Sequence, residues 1–275
     1  MNYTTIIDTD QLEGILSTPK VVIIDCRFSL ADKEWGRQQF EQAHIPGAQY
    51  LHLDEDLSSE IIPGTTGRHP WPTLDDVCSL FSRLGISNDS QIIVYDQSHG
   101  GIAARFWAMS LFVGHEKVSV LNGGWKHWTA LEKPVNSEQI NVEPTDFLAS
   151  PPLISLASVD DLVSLDYLID ARTSNRYKGI EEPIDPVAGH IPGAINIPFL
   201  GNVNEAHLWL SKEIIKKRFA DINKGSGAIY CGSGVTACHD LIAMKYVGLE
   251  LPSLYPGAWS HYITDGNREV GTDIN

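Results

Sequence analysis

The sequence predicts an α/β protein made of two tandem copies of one domain, each a parallel sheet with helices on both faces. Three observations predict it: the chain repeats itself, short apolar runs alternate with helical stretches, and a proline-bearing segment separates the copies. The repeat carries most weight. Ile24-Asp25-Cys26-Arg27 returns as Ile169-Asp170-Ala171-Arg172, and Ala43-His44-Ile45-Pro46-Gly47-Ala48 returns as Gly189-His190-Ile191-Pro192-Gly193-Ala194. Val94-Tyr95-Asp96 returns as Ile229-Tyr230-Cys231, and Gly123-Gly124-Trp125 as Gly257-Ala258-Trp259. Four blocks in one order, with one change of length between the second and third, require two copies of one fold.

The expected domains are residues 1–140 and 153–275. Between them, residues 141–152 carry three prolines and no helical period, as a linker should. Residues 21–24, 91–95, 167–169 and 227–230 read as buried strands. Residues 73–84 and 211–219 have helical spacing, with Thr73 and Ser211 as N-caps. Apolar strands with helices between them form a parallel sheet covered on both faces. Ligands of such sheets bind beyond the carboxyl ends of the strands, where both Asp96 and Cys231 fall.

Composition removes several function classes. The formal net charge of −15 excludes a general nucleic-acid binder, because so acidic a chain repels phosphate backbones. A small anionic substrate stays admissible, since charges beyond about 8 Å are screened at physiological salt. Hydrophobic residues make up 43% of the chain, and no stretch reaches the roughly 18 apolar residues of a membrane span. Residues 1–8 have neither a basic start nor an apolar run, so no export signal is expected. Four cysteines (Cys26, Cys78, Cys231 and Cys238) do not suggest a disulfide framework in so long a chain. A cytoplasmic setting is the expectation.

Chemistry concentrates in Cys231-Gly232-Ser233-Gly234-Val235-Thr236-Ala237. A cysteine leaves a strand, a glycine-bearing loop turns, and a helix starts at Ala237. Successive N–H groups of such a loop, Gly232, Gly234 and Val235 among them, form a nest with the positive end of the helix dipole behind it. That nest stabilises a thiolate. Most free cysteines are small buried hydrophobes, but the matching position in the first copy holds Asp96. A site that tolerates aspartate reads as solvent-facing, and the functional reading of Cys231 follows. Ser233 and Thr236 place hydroxyls at the rim.

With the two His-Ile-Pro-Gly-Ala blocks, the paired Gly-Gly-Trp and Tyr-Pro-Gly-Ala-Trp blocks and the Cys231–Ala237 loop, the chain resembles the tandem rhodanese-domain sulfurtransferases over roughly residues 5–270. The resemblance implies that Cys231 takes sulfur from a donor as a persulfide and passes it to a thiol or cyanide acceptor, thioredoxin being one such thiol. It also implies that the first copy, with Asp96 in the nucleophile's place, is catalytically silent. A loop without cations is similar to that of 3-mercaptopyruvate sulfurtransferases, whose serine and threonine match Ser233 and Thr236. Those enzymes grip the donor carboxylate with two arginines. Arg176 matches the first, and residues 182–186 contain no arginine to match the second. Thiosulfate therefore stays open as the donor. By the same resemblance Asp54 and His69 stand where the family places an acid and a histidine, and Arg68 is a further anion contact. His69, in Arg68-His69-Pro70-Trp71-Pro72, reads equally as a loop histidine stacked on Trp71.

Other features have plainer readings. His44 and His190 recur in both copies, as do Asp25 with Asp170 and Arg27 with Arg172, so a structural role is expected for each. Ten histidines show no metal-binding spacing, and no phosphate loop ending in Lys-Ser/Thr exists, so neither metal nor cofactor is expected. Cys238 reads as a buried side chain or as a resolving thiol. A cysteine phosphatase of the same fold would need an arginine closing the loop, where Val235, Thr236, Ala237 and Cys238 stand. A non-catalytic binding module is the other alternative, separated from an enzyme by the reactivity of Cys231.

Overall fold

The computed structural model describes residues 2–222 and 225–273. The first copy runs β1 (Ile6–Ile7), α1 (Thr9–Glu13), β2 (Val21–Asp25), α2 (Trp35–Gln42) and β3 (Ala48–Tyr50). It continues with α3 (Leu74–Arg83), β4 (Gln91–Tyr95), α4 (Ala103–Phe112), β5 (Val118–Leu121) and α5 (Gly124–Ala130). The second runs β6 (Tyr167–Asp170), α6 (Ser174–Lys178), β7 (Ala194–Asn196) and α7 (Lys212–Arg218). It ends with β8 (Gly227–Tyr230), α8 (Ala237–Tyr246), β9 (Ser253–Leu254) and α9 (Ala258–Tyr262).

Both sheets are parallel and ordered alike, β1-β5-β4-β2-β3 and β7-β6-β8-β9. β2 matches β6, β3 matches β7, β4 matches β8 and β5 matches β9. A parallel bridge from Leu156 to Leu254 stands where β1 pairs with β5. Every residue of β4, β5 and β8 is buried, which requires cover on both faces. The expected strands form, two of them extended by a residue to Asp25 and Asp170. Thr73 caps α3 in a capping box: its hydroxyl accepts the Asp76 N–H at 3.2 Å, and the Asp76 carboxylate accepts the Thr73 N–H at 3.2 Å. Ser211 occupies the N-cap of α7 without a side-chain bond into the helix.

The expected boundaries treat each domain as one continuous stretch, and there the structure differs. One compact unit comprises residues 1–58, 72–153 and 203–209; the other comprises 59–71, 154–202 and 210–275. In the first unit, residues 203–209 are held by a Trp209 N–H bond to Asn122 and by Leu208 against Gly123. In the second, residues 59–71 are held by Arg68 and His69, described below. The 141–152 stretch is no free linker either. Thr145 N–H donates to the Ser82 carbonyl, Ser150 N–H to that of Val113, and Phe147 packs edge-on against Phe81 at 5.0 Å. These contacts tie the segment to the ends of α3 and α4. Prolines bar helix and sheet there without barring packing.

The recurrent histidines are structural in both units. His44 Nδ1 lies 2.7 Å from the Phe40 carbonyl with its ring stacked on Phe40 at 3.9 Å. His190 repeats the arrangement on Tyr177, at 2.8 Å and 3.8 Å.

One buried acid sets a pH dependence. Asp240 on α8 is fully buried; one oxygen accepts Asn202 Nδ2 at 2.5 Å, and the other has no hydrogen-bond donor among the described residues. Burial pushes this carboxyl up to about 7 against the opposing pull of Asn202 and Arg218. The folded chain therefore holds this proton more tightly than the unfolded chain does. Stability falls as pH rises from about 4 to about 7 and stays lowered above that. Asp240→Asn should raise the melting temperature at pH 8, and the gain should shrink toward pH 4.5. An equal gain at both pH values would contradict the buried-acid account.

Candidate active site

The second unit's site rests on a buried ion pair. Asp170, at the end of β6, and Arg172 are 0% and 2% exposed. Arg172 Nη2 donates to Asp170 Oδ2 and to the Gly189 carbonyl, each at 2.6 Å, and its guanidinium lies over the Trp259 ring at 4.7 Å. The acids win over burial, and the Arg172 guanidinium is held above its ordinary range. Trp259 N–H in turn donates to the Cys231 carbonyl at 3.0 Å, and Ser260 N–H to that of Gly232 at 2.9 Å. The first unit repeats this frame with Asp25, Arg27 and Trp125, whose N–H donates to the Asp96 carbonyl at 2.9 Å. Both Asp-Arg pairs are structural, as expected.

The matched positions Asp96 and Cys231 are 3% and 1% exposed, which corrects their reading as solvent-facing. Aspartate is tolerated because backbone donors surround it. Asp96 Oδ1 accepts the Ser98 and Gly100 N–H groups at 2.9 and 3.0 Å; Oδ2 accepts those of Ile102 and Ala103 at 2.9 and 3.3 Å. Four charge-assisted bonds offset its burial. In the first copy the strand–loop–helix turn is thus an anion nest filled by its own carboxylate. In the second copy Cys231 leaves β8 into the corresponding turn, with α8 starting at Ala237. Gly234 has φ +74°, and a Cβ there would collide with the Pro256 carbonyl. Val235 is buried and Thr236 half-buried at the N-cap of α8, its side chain making no cap bond.

Around the loop the second unit gathers groups distant in sequence. His69 Nδ1 and Ser233 Oγ, both buried, share a 2.7 Å hydrogen bond. Arg68 donates Nε and Nη2 to Asp185 Oδ1 and Oδ2 at 2.8 and 3.1 Å, and its N–H to Ser260 Oγ at 3.0 Å. Arg176 Nη2 donates to Glu182 Oε1 at 2.7 Å and to Asp185 Oδ2 at 3.1 Å. Burial alone would push the Glu182 carboxyl up; Arg176 and the N–H groups of Asp185 and Ile184 overcome it and hold it below the carboxylate range. Both guanidinium groups stand over Gly232, where a Cβ would come within 2.9 Å of Arg68 Nη2 and 3.2 Å of Arg176 Nη2. Asp54 belongs to the first unit, with its Oδ2 2.6 Å from Lys33 Nζ.

Glu182, Asp185 and Ser260 are absent from the sequence-derived site. Two acids inside the segment that lacks the second arginine were the available signal. Among the other cysteines, burial pushes the Cys26 thiol well up and the Cys78 thiol up. Cys238 is fully buried with Sγ 3.4 Å from the Gly234 carbonyl, packed as a small side chain. Among the described residues one group, Glu34, His52 and Glu55, has metal-ligand spacing. His52 already uses Nδ1 toward the Asp54 and Glu55 N–H groups and Nε2 toward the Lys33 carbonyl, so the ring has a loop-anchoring role. No helix among the described residues is long and apolar enough to cross a membrane.

The rhodanese-like domain family matches residues 8–131 and 155–265. A probable 3-mercaptopyruvate sulfurtransferase of Pseudomonas aeruginosa is 38% identical over 99% of both chains. The thiosulfate sulfurtransferase of Gallus gallus is 32% identical over 87% of this chain and 85% of its own. The crystal structure of SseA from Escherichia coli, described as a 3-mercaptopyruvate sulfotransferase of rhodanese fold, superposes with a TM-score of 0.80 at 28% identity. That match covers 94% of this chain and all of SseA.

Breaking the supporting ion pair tests this frame. Arg172→Met leaves Asp170 buried without its cation and should lower the unfolding free energy by about 3–5 kcal/mol in a urea titration. A loss below about 1 kcal/mol would show that the pair carries little of the frame.

Proposed function

The chain belongs to the rhodanese family, and from that premise we propose a sulfurtransferase that carries sulfur as a persulfide on Cys231. Its donor is a small anion, 3-mercaptopyruvate in preference to thiosulfate, and its acceptor is cyanide or a thiol, protein thiols such as thioredoxin included. The observation that carries the reading is the placement of Cys231 in a turn whose twin cradles an anion, with two guanidinium groups over the next residue.

The steps follow from that placement. The Cys231 thiolate attacks the donor sulfur, forming an S–S bond while the donor C–S bond breaks. The bonding pair leaves on carbon as the enolate of pyruvate, and the donor's own S–H proton stays on the new persulfide. The enolate then needs a proton, which Ser233 Oγ supplies and recovers across its 2.7 Å bond to His69 Nδ1. An acceptor thiolate attacks the outer sulfur, and the Cys231 thiolate leaves. Arg68 and Arg176 orient the donor carboxylate. With thiosulfate the leaving group is sulfite, which takes the electron pair without protonation. The loop's lack of cations and the Ser233–His69 pair support the carbon acid as donor.

Cys231→Ser should abolish turnover with either donor, while Cys26→Ser, Cys78→Ser and Cys238→Ser keep most of it. Mass spectrometry after donor treatment should find one added sulfur on the Cys231 peptide; finding it on another cysteine sinks the assignment. Ser233→Ala should lower kcat with 3-mercaptopyruvate by roughly 10²- to 10⁴-fold, the range of general acid catalysis, and leave kcat with thiosulfate nearly unchanged. Equal slowing with both donors would mean that the serine only shapes the loop.

A further inference from the structure

We propose that Asp185 sets donor selectivity by charge: it neutralises the arginine pair over Gly232, so that the site favours a monoanionic carboxylate donor over a dianion. The inference rests on the sulfurtransferase reading above and deepens it. Two guanidinium groups beside the space over Gly232 would make a strong field for any anion. The structure does not leave that field in place. Asp185 is buried to 2% of its side chain and accepts Arg68 bidentately and Arg176 through the shared Oδ2. Glu182, buried to 3%, accepts Nε and Nη2 of Arg176. Arg68 and Arg176 are thus balanced by Asp185 and Glu182, and the adjoining Arg172 is balanced by Asp170. Donor groups remain, while net positive charge does not.

For a carboxylate this is sufficient, because oriented N–H groups bind it through short directional bonds. A dianion gains the same bonds but brings a second charge into a buried site beside a thiolate, with no net cation to offset it. Removing one buried acid should therefore help the two donors unequally, since Coulomb attraction scales with ligand charge. A factor gained by the monoanion is squared for the dianion.

The experiment is the ratio of kcat/KM for thiosulfate to that for 3-mercaptopyruvate, with cyanide as acceptor. One unit charge about 5 Å from the ligand, at an effective dielectric constant near 20, changes binding on the order of a hundredfold; with relaxation, Asp185→Asn should raise the ratio at least about tenfold. Glu182→Gln should move it the same way. Arg68→Gln, at a side chain 28% exposed, should move it the opposite way. Asp185→Glu keeps the charge and should leave the ratio within about threefold of the parent. If Asp185→Asn folds and slows both donors alike, Asp185 only positions Arg68 and the proposal is overturned. Where Asp185→Asn does not fold, the opposed shifts of Glu182→Gln and Arg68→Gln decide, and their absence overturns it equally. Failure of the unmodified protein to load sulfur on Cys231 from either donor would instead remove the sulfurtransferase reading itself.

Discussion

Everything in the second unit's site hangs on the buried pair of Asp170 and Arg172. Taking two such charges out of water costs several kcal/mol each, which their mutual pairing and the further hydrogen bonds of Arg172 offset. Arg172 spends its hydrogens on Asp170, on the Gly189 carbonyl before the His-Ile-Pro-Gly turn, and on Glu182 at 3.4 Å. Its flat face is covered by Trp259. One guanidinium thereby fixes the end of β6, the turn that leads into β7, and the tryptophan whose backbone N–H holds the Cys231 carbonyl. Asp25 and Arg27 do the same beneath Trp125. The repeat conserves this frame, and the frame fixes where the loop after β4 or β8 must turn.

What separates the two copies is the content of that turn. In the first, the Asp96 carboxylate accepts four backbone N–H groups. In the second, a thiol replaces the carboxylate, and the frame extends outward through charges the first copy lacks. Arg172 touches Glu182, Glu182 holds Arg176, Asp185 joins Arg176 to Arg68, and Ser260 fixes Arg68's backbone to the same helix turn that binds Gly232. Each link is a hydrogen-bonded ion pair or a backbone bond, so the guanidinium groups over Gly232 are held from a rigid core. Such preorganisation lets anion binding avoid the entropy of ordering two long side chains.

Repetition is what makes this fold legible in sequence. A block that occurs twice with strand-like and helix-like patterns intact identifies the sheet, its order of blocks and the frame residues before any contact is known. The position of Cys231 at the end of β8, matching Asp96 at the end of β4, is legible for the same reason. The inference drawn from that exchange, that the position faces solvent, fails: a buried carboxylate with four backbone donors looks, in sequence, like an exposed one. Arg176 is legible through the family resemblance, and Arg68 as a cation beside His69. Their acids are not, because a search for a second cation passes over Asp185, and because the bond from Arg68 to Asp185 spans 117 residues. The assignment of residues 59–71 to the second unit is invisible for the same reason. Nothing local in a loop records which sheet it serves.

The position after Cys231 bears on why those cations come from so far away. A side chain at residue 232 would crowd the Arg68 and Arg176 guanidinium groups, whose nitrogens lie 2.9–3.3 Å from where its Cβ would stand. Gly232 lacks the positive φ of Gly234, so a larger residue there is disfavoured by crowding against the outer arginines and not by the backbone conformation of the loop. A cation carried on the loop moves with the nucleophile and imposes its full charge on it. Cations delivered from residue 68 and from α6 can each bring an acid with them, as Arg68 brings Asp185 and Arg176 brings Glu182. Direction and charge are then set by different residues. The guanidinium groups supply N–H donors over Gly232, and the acids cancel their charge.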